Sequence, residues 1–251
     1  MKKHLSVISL ASRSVVYKLL LIIALTAAAE VIMFMSTFGS IAAAHSYGYG
    51  EITFYDIVFR SKLYFVCAAG FVLLCAACCF AGCELKGSRI SYTYCRLRIG
   101  EVTVLAWQSG VNSLCFLTYW ASQAAIAILL WVIYVNSGSA ASIIAQTPLV
   151  WFYNSEYLHS LLPIEDYMRL ARNIVICLSL GFCSAAISFR QRRGKRAWGI
   201  FILAIVTLFS FVEDMAEPSA DAAMIGFCIL ACGIVLFGIY SAMTEEYEDE
   251  E

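Results

Sequence analysis

Six long runs of apolar residues, almost free of charged side chains, constrain the fold of this chain more than any other feature. An α-helix rises about 1.5 Å per residue, so about 20 residues are needed to cross a hydrocarbon layer about 30 Å thick. The runs approach this length and are continuous rather than alternating, which favours helices over a transmembrane barrel. The sequence therefore predicts an all-α, polytopic membrane protein with six transmembrane helices. The predicted spans cover roughly Tyr17–Phe38, Ser61–Cys83, Val111–Val135, Asn173–Phe189, Ala197–Val212 and Ala222–Ser241.

Composition agrees with this class. Hydrophobic residues make up 61% of the 251 residues and charged residues 14%, and the mean hydropathy is +0.79. A single soluble core of this size cannot bury so much apolar surface. The net charge of −1 gives no indication of a nucleic-acid partner.

Lysine and arginine are distributed unevenly between the two sides of the membrane. Four lie in the N-terminal stretch, four between spans two and three, and five between spans four and five, against two in each loop after spans one and three. The positive-inside rule therefore places both termini in the cytoplasm. Acidic residues contribute little to orientation, so the acidic segment 244–251 does not oppose this placement. We expect that segment to be a disordered tail after a single transmembrane domain, residues 1–243.

The first span could be a cleaved signal peptide or a retained membrane anchor. The basic start and the small residues Ala27–Ala29 are compatible with cleavage. Apolar sequence resumes at once over Val31–Met35, which makes the run too long for a signal core and favours an anchor.

Motifs that would indicate an enzyme are absent from the sequence. It contains no His-Glu-x-x-His helix, no G-x-S-x-G elbow and no phosphate-binding loop of the G-x-x-x-x-G-K-[ST] type. The three histidines, His4, His45 and His159, all lie outside the predicted spans. We therefore expect no catalytic activity and no cofactor in this chain, and any ATP would bind to another polypeptide.

Four of the eleven cysteines, Cys75, Cys78, Cys79 and Cys83, share one helical face. A soft metal could use such a face. Small, lipid-tolerant side chains also allow close helix packing, and we favour packing because no histidine or carboxylate accompanies the set. We expect no disulfides, because the larger exterior loops contain no cysteine.

Polar side chains inside the spans are the remaining candidates for function. Glu30 lies within the first span, where a carboxylate is costly and marks a pathway or a partner. The alternative, which we favour, is that Glu30 reaches water at the outer interface or bonds a neighbouring helix. Gln108, Asn112 and Gln123, in and just before the third span, are predicted to form interhelical hydrogen bonds.

The larger exterior loop carries a helix-start signal. Pro163 is suited to the first helical position, and Glu165 and Asp166 would then lie in the first turn, facing the positive end of the helix dipole. We expect this helix to continue into the fourth span.

The loop before the third span is basic and aromatic, and it leads into a long helix. No proline occurs from Gly100 to Val135, so a helix of about 54 Å is predicted at 1.5 Å per residue, which exceeds the thickness of a bilayer. Gly100 would act as a hinge, and Glu101 would lie at the favourable N-terminal end. An ordinary basic loop that touches anionic lipid is the alternative interpretation.

The run Glu84, Arg89, Tyr92, Arg96-Leu97 and Glu101 resembles the first cytoplasmic loop of ABC transporter permeases of the second exporter class. The chain is also similar to six-span permease-like proteins of low-GC Gram-positive bacteria. Arg98 and Gly100 stand where the permease pattern usually has Pro and Ser.

The resemblance implies a permease subunit of the plasma membrane that works as a homo- or heterodimer with a separate ATP-binding subunit. It implies that the loop forms a coupling helix, which docks on that subunit, and that Lys2–Lys18 forms an interfacial helix. The implied contact residues are Arg89, Tyr92, Tyr94, Arg96, Leu97, Arg98 and Glu101.

Two other classes remain open. One is a structural or regulatory membrane protein whose basic loops bind lipid or a partner. The other is an intramembrane enzyme or secondary transporter, which is disfavoured by the missing acid, histidine and metal constellations and by the expected lack of broken-helix pairs.

Overall fold

The computed structural model describes residues 2–45, 54–80, 100–136, 155–163, 166–192 and 218–248. Within these ranges every regular element is a helix, as the all-α prediction requires. The helices are α1 (Lys2–His45), α2 (Phe54–Ser61), α3 (Leu63–Cys79), α4 (Glu101–Asn136), α5 (Glu156–Leu161), α6 (Tyr167–Arg192) and α7 (Pro218–Glu248).

Four helices are long and apolar enough to cross a membrane, and a fifth span is obtained if the bent pair α2 and α3 is counted as one. The four are α1, α4, α6 and α7. The predicted fifth span, Ala197–Val212, lies outside the described residues. α7 continues to Glu248, into the segment predicted as an acidic tail.

α1 is one continuous helix of 44 residues, so the predicted interfacial helix Lys2–Lys18 is not a separate element. No glycine or proline interrupts the sequence before Gly39, which explains why the helix continues into the first span. Val7, Ala11 and Val15 recur at helical spacing and are all buried, so the N-terminal part of α1 packs on the bundle.

The second predicted span is broken near its start, so the described residues contain one broken helix, whereas the sequence was expected to lack broken-helix pairs. α2 and α3 meet at an angle of 49°, and Lys62 between them has a left-handed backbone with φ of 51°. α2 is amphipathic and buries Phe54 and Ile57, whereas α3 is apolar on all sides. The change of direction lets each helix place its own apolar surface on the bundle.

α4 has 36 residues and begins directly after Gly100. Its bounds, Glu101–Asn136, differ by one residue at each end from the helix predicted over Gly100–Val135. At about 1.5 Å per residue the helix is about 54 Å long.

α6 begins later than the sequence predicted. Oδ1 of Asp166 accepts hydrogen bonds from the backbone N–H groups of Met168 (3.1 Å) and Arg169 (3.2 Å), so Asp166 caps the helix from outside rather than lying in its first turn. Pro163 lies in the connection that follows α5 and is not helical. Aspartate is strongly preferred at this capping position, because its carboxylate satisfies N–H groups that have no partner within the helix.

α6 runs antiparallel to α4. Gln108 near the start of α4 bonds Ser188 near the end of α6, and Asn112, one turn later in α4, bonds Ser184, one turn earlier in α6.

α7 runs parallel to α6, which it contacts along much of its length. Asp221 at the start of α7 pairs with Arg172 near the start of α6. Farther along both helices Cys232 contacts Cys183, and Gly238 approaches Arg190 near the end of α6.

α1, α3 and α4 form the other half of the bundle. Phe34 of α1 packs on Phe54 of α2. Thr26, two turns earlier in α1, packs against Gly70 of α3, so α1 runs antiparallel to α2 and α3. α4 runs parallel to α1, since Gln123 meets Thr26 and Tyr134 meets Phe38 farther along both helices. The starts of α1 and α4 and the end of α6 therefore lie together, and we name this end of the bundle the basic end; the other is the distal end.

Candidate functional site: buried polar groups in the helix bundle

One of the residues predicted to contact an ATP-binding subunit, Glu101, lies within the described part of the chain. Glu101 is the first residue of α4 and is exposed at the basic end. The carbonyl of Gly100 before it accepts hydrogen bonds from the N–H groups of Thr103 (2.9 Å) and Val104 (3.2 Å). The other predicted contact residues, Arg89, Tyr92, Tyr94, Arg96, Leu97 and Arg98, lie outside the described residues.

Gln108 and Asn112 join α4 to α6, as predicted for interhelical hydrogen bonds. Both are buried. The Gln108 amide donates to Oγ of Ser188 (3.1 Å), and the Asn112 amide donates to Oγ of Ser184 (2.8 Å). These bonds fix the register between two helices whose apolar surfaces would otherwise slide.

Gly181 brings the backbones of α4 and α6 into direct contact just beyond the Asn112–Ser184 bond. A Cβ atom added at Gly181 would overlap the side chain of Ser113 and lie 2.6 Å from its Cα. The small residues Gly181, Ser184 and Ser188 therefore form the α6 side of the seam, in the spacing that allows close helix approach.

A charged cluster at the distal end was missed by the sequence analysis. Arg172 is 2% exposed, and Asp221 is 1% exposed. The guanidinium of Arg172 donates to Oδ1 of Asp221 (2.6 Å), to Oγ of Ser160 (3.3 Å) and to Oδ1 of Asn173 (3.1 Å). Asn173 in turn donates to the carbonyl of Ser160 (2.9 Å).

Arg169 extends this cluster towards the helix cap. Its Nε atom lies 3.8 Å from Oδ2 of Asp221 and 3.7 Å from Oδ2 of Asp166. Two arginines thus face two aspartates, and the formal charges balance. The cluster ties α5, α6 and α7 together at one point, so its chemistry is that of a structural clamp.

Sequence reasoning counted Arg169 and Arg172 only as loop charges. The sequence did contain a signal for an ion pair between helices, because both arginines lie just before one apolar run and Asp221 lies just before another. Pairing them required knowledge that α6 and α7 are parallel neighbours.

Glu30 lies in a second buried polar region, between α1, α3, α4 and α5. It is 2% exposed, and its Oε1 atom has no hydrogen-bond partner among the described residues. The sequence favoured a Glu30 that reaches water or bonds a neighbouring helix. Within the described part of the chain, its Oε1 atom does neither.

Gln123 borders the same region from α4. Its amide donates to Oγ1 of Thr26 (3.3 Å), one turn before Glu30 on α1. The Oε1 atom of Gln123, like that of Glu30, is buried without a partner among the residues that the structure describes.

Hydroxyl and thiol groups complete the region. Oη of Tyr119 donates to the carbonyl of Cys67 (3.0 Å), and Tyr157 of α5 is hydrogen-bonded to the Cys67 side chain. Burial raises the pKa of Tyr157 well above its usual range. Tyr157 therefore remains a neutral phenol.

The cysteine face of α3 lies in the hydrophobic core. Cys75, Cys78 and Cys79 are buried there with thiols from α4, α6 and α7, and the nine described cysteines are free. Across the described ranges no three His, Cys, Asp or Glu side chains are arranged to hold a metal ion. Cys83 lies outside the described residues.

An apolar groove of about 750 Å³ opens between α1, α4, α6 and α7. Its lining includes Ile8, Trp107, Leu114 and Phe182, and the polar side chains on it are serines. Such a surface suits a lipid chain or another apolar molecule, but it presents no converging charged groups.

Comparison of the chain with protein-family models, with curated proteins and with solved structures finds no match.

Proposed function

We propose that this chain is the membrane-spanning permease subunit of an ATP-driven exporter, energised by a separate ATP-binding subunit. The observation that carries the proposal is α4. It is about 54 Å long at 1.5 Å per residue, longer than a bilayer is thick, and it begins directly after the basic segment that resembles a coupling helix. Its first turns extend beyond the hydrocarbon layer, where a soluble subunit can reach them.

The arrangement of α6 and α7 supports a six-span topology. Because the two helices are parallel neighbours, the 25 residues between Arg192 and Pro218 must return from one side of the bundle to the other. The predicted span Ala197–Val212 lies within this connection. Six crossings that alternate in direction follow from adding it to the five candidate spans.

The positions of the helix ends support the orientation. The starts of α1 and α4 and the ends of α6 and α7 share the basic end, so both termini lie on the side of the predicted coupling segment. The excess of lysine and arginine makes this the cytoplasmic side.

In the proposed mechanism, two permease subunits pair in the membrane, and each coupling segment docks on an ATP-binding subunit. Closure of the ATP-binding subunits moves the start of α4. The Gln108 and Asn112 bonds transmit the motion to α6, and the Arg172–Asp221 clamp carries α7 with it. The cargo passes between the two permease subunits.

Reversing the charge of the coupling segment tests the proposal. We expect the double variant Arg96→Glu, Arg98→Glu, expressed in its native host, to lose a co-purified ATP-binding subunit that the wild-type chain retains. Arg192→Glu, Arg193→Glu is the matched control, because it makes the same change of charge in the other basic loop. If the wild-type chain never retains such a subunit, or if both variants retain it equally, the permease assignment is wrong.

A non-transporting structural or regulatory membrane protein is the second candidate. The observation that favours it is the lining of the groove, which is apolar apart from serines and offers a charged cargo no binding groups. Retention of lipid or of another membrane protein, without an ATP-binding subunit, would support this candidate in the same co-purification.

A further inference from the structure

Glu30 is buried in the bundle, and the described residues place no compensating charge beside it. It is 2% exposed, and its Oε1 atom accepts no hydrogen bond from any described residue. Removing an ionised carboxylate from water without a partner costs far more free energy than the stability of a typical domain allows, so such a group becomes neutral instead.

The described elements packed around Glu30 bring thiols and phenols near it rather than a positive group. α3 contributes Cys67, α4 contributes Tyr119, and α5 contributes Tyr157, all within electrostatic range of Glu30. A thiol or a phenol carries no positive charge in either of its protonation states. The buried face of α2 consists of Phe54, Ile57, Val58 and Ser61.

The buried arginines are already paired elsewhere. Arg169 and Arg172 lie at the distal end with Asp166 and Asp221. No ion pair with Glu30 exists among the described residues.

A proton fits the region better than a metal ion. Oγ1 of Thr26 donates to the carbonyl of Ile22 and accepts from Gln123, and Oη of Tyr119 donates to the carbonyl of Cys67. The oxygens left without partners in the described part of the region are Oε1 of Glu30 and Oε1 of Gln123. Hard cations such as Mg²⁺ and Ca²⁺ take about six or more oxygen ligands, whereas a proton needs one.

We propose that Glu30 is a proton-binding site inside the bundle: it is neutral while α1, α3, α4 and α5 are packed together, and it releases its proton to water when these helices separate. The proposal does not depend on the permease assignment. It makes the packed arrangement a proton-bound state, so that any opening which hydrates this region is coupled to the release of one proton.

The sign of the pH dependence follows from this coupling. The packed state binds one proton more than the open state, so raising the pH favours opening. The equilibrium constant between packed and open states changes by up to tenfold per pH unit, the limit for one proton.

Infrared spectroscopy and thermal unfolding of the purified full-length chain in lipid nanodiscs test the proposal. We expect a C=O stretch of a protonated carboxyl at neutral pH in the wild-type chain, lost in Glu30→Gln and retained in Glu250→Gln. Glutamine has the shape of the neutral acid but cannot release a proton. We also expect the unfolding temperature of the wild-type chain to fall from mildly acidic to mildly alkaline buffer, and that of Glu30→Gln to fall less.

The outcomes that overturn the proposal are distinct. A wild-type spectrum whose protonated-carboxyl band is unchanged in Glu30→Gln shows that Glu30 is ionised. An unfolding temperature that depends on sodium concentration at fixed pH, in the wild-type chain but not in Glu30→Gln, identifies a metal-ion site instead. If Glu30→Gln cannot be purified, Glu30→Asp replaces it, and an unchanged band position in that variant also overturns the proposal.

Discussion

Arg172 is the buried cation on which the distal end of the bundle depends. It bonds Asp221 on α7, Ser160 at α5 and Asn173 on its own helix, so it joins three elements. A buried pair of this kind contributes little net stability relative to an apolar pair, but removing one partner leaves the other charge uncompensated.

Asp221→Ala is expected to destabilise the protein by about 3–5 kcal/mol, because Arg172 then stays buried without its carboxylate. Asp166→Ala is the control with a smaller expected loss. That side chain is 35% exposed, and its removal costs a helix cap worth about 1 kcal/mol. Unfolding in mixed micelles compares the variants. Adding Arg172→Met to Asp221→Ala should recover much of the loss; equal losses for Asp221→Ala and Asp166→Ala would contradict a buried clamp.

Gly181→Ala is expected to destabilise the bundle by about 1–3 kcal/mol, because the new methyl group would overlap Ser113 and force α4 and α6 apart. Gly233→Ala is the matched control, since nothing lies within 4 Å of a Cβ atom there, and alanine should stabilise the helix by about 0.5–1 kcal/mol. Thermal unfolding measures both. A neutral Gly181→Ala would show that the two backbones are not in contact.

Among the helices, the parallel pair α6 and α7 does most to determine the topology, because the end of α6 and the start of α7 lie at opposite ends of the bundle. The contacts that define the pair advance together along both helices, from Arg172 with Asp221 to Cys183 with Cys232. An antiparallel pair would instead join the start of one helix to the end of the other.

Mild oxidation should join Cys183 to Cys232, whose side chains are in hydrogen-bonding contact. Proteolysis between α6 and α7, followed by nonreducing electrophoresis, would detect the linked fragments. The link should disappear in Cys183→Ser and in Cys232→Ser but persist in Cys177→Ser, which replaces another buried thiol of α6. A link that survives Cys183→Ser would contradict the arrangement of these helices.

The sequence predicted some elements well and others poorly, for physical reasons. The bounds of α4 were predictable because the segment lacks proline and Gly100 lies at its start. The break at Lys62 was not, because neither glycine nor proline marks it and the left-handed backbone follows from the packing of α2 and α3. The start of α6 was missed because Pro163 and Asp166 are both helix-start signals, and only the structure shows which one applies.

The candidate sites show the same division between local and tertiary information. Glu30, Gln108 and Asn112 were recognisable as polar residues within or beside apolar runs. Their partners were not, since Ser184, Ser188 and the surroundings of Glu30 are brought close only by the helix arrangement. Arg172 and Asp221 are separated by 49 positions in the sequence, and their pairing depends on the parallel orientation of two helices.

In the whole molecule, the Arg172–Asp221 clamp, Glu30 and Glu101 lie at different depths of one bundle. The charge-balanced clamp closes the distal end, Glu30 lies along α1 between its two ends, and Glu101 begins α4 at the basic end. In this account a partner at the basic end moves α4, the polar seam with α6 transmits the motion, and helix separation hydrates Glu30. Docking at the basic end is therefore the step on which the others depend.

Site-specific photo-crosslinking in native membranes tests this docking. A photoreactive residue at Glu101, exposed at the start of α4, should form an adduct with an ATP-binding subunit, and the same residue at the exposed Lys62, which follows α2, should not. Mass spectrometry of the adducts identifies the partner. We expect adducts with an ATP-binding subunit from position 101 alone. No such adduct, or equal adducts from both positions, would contradict docking at the basic end.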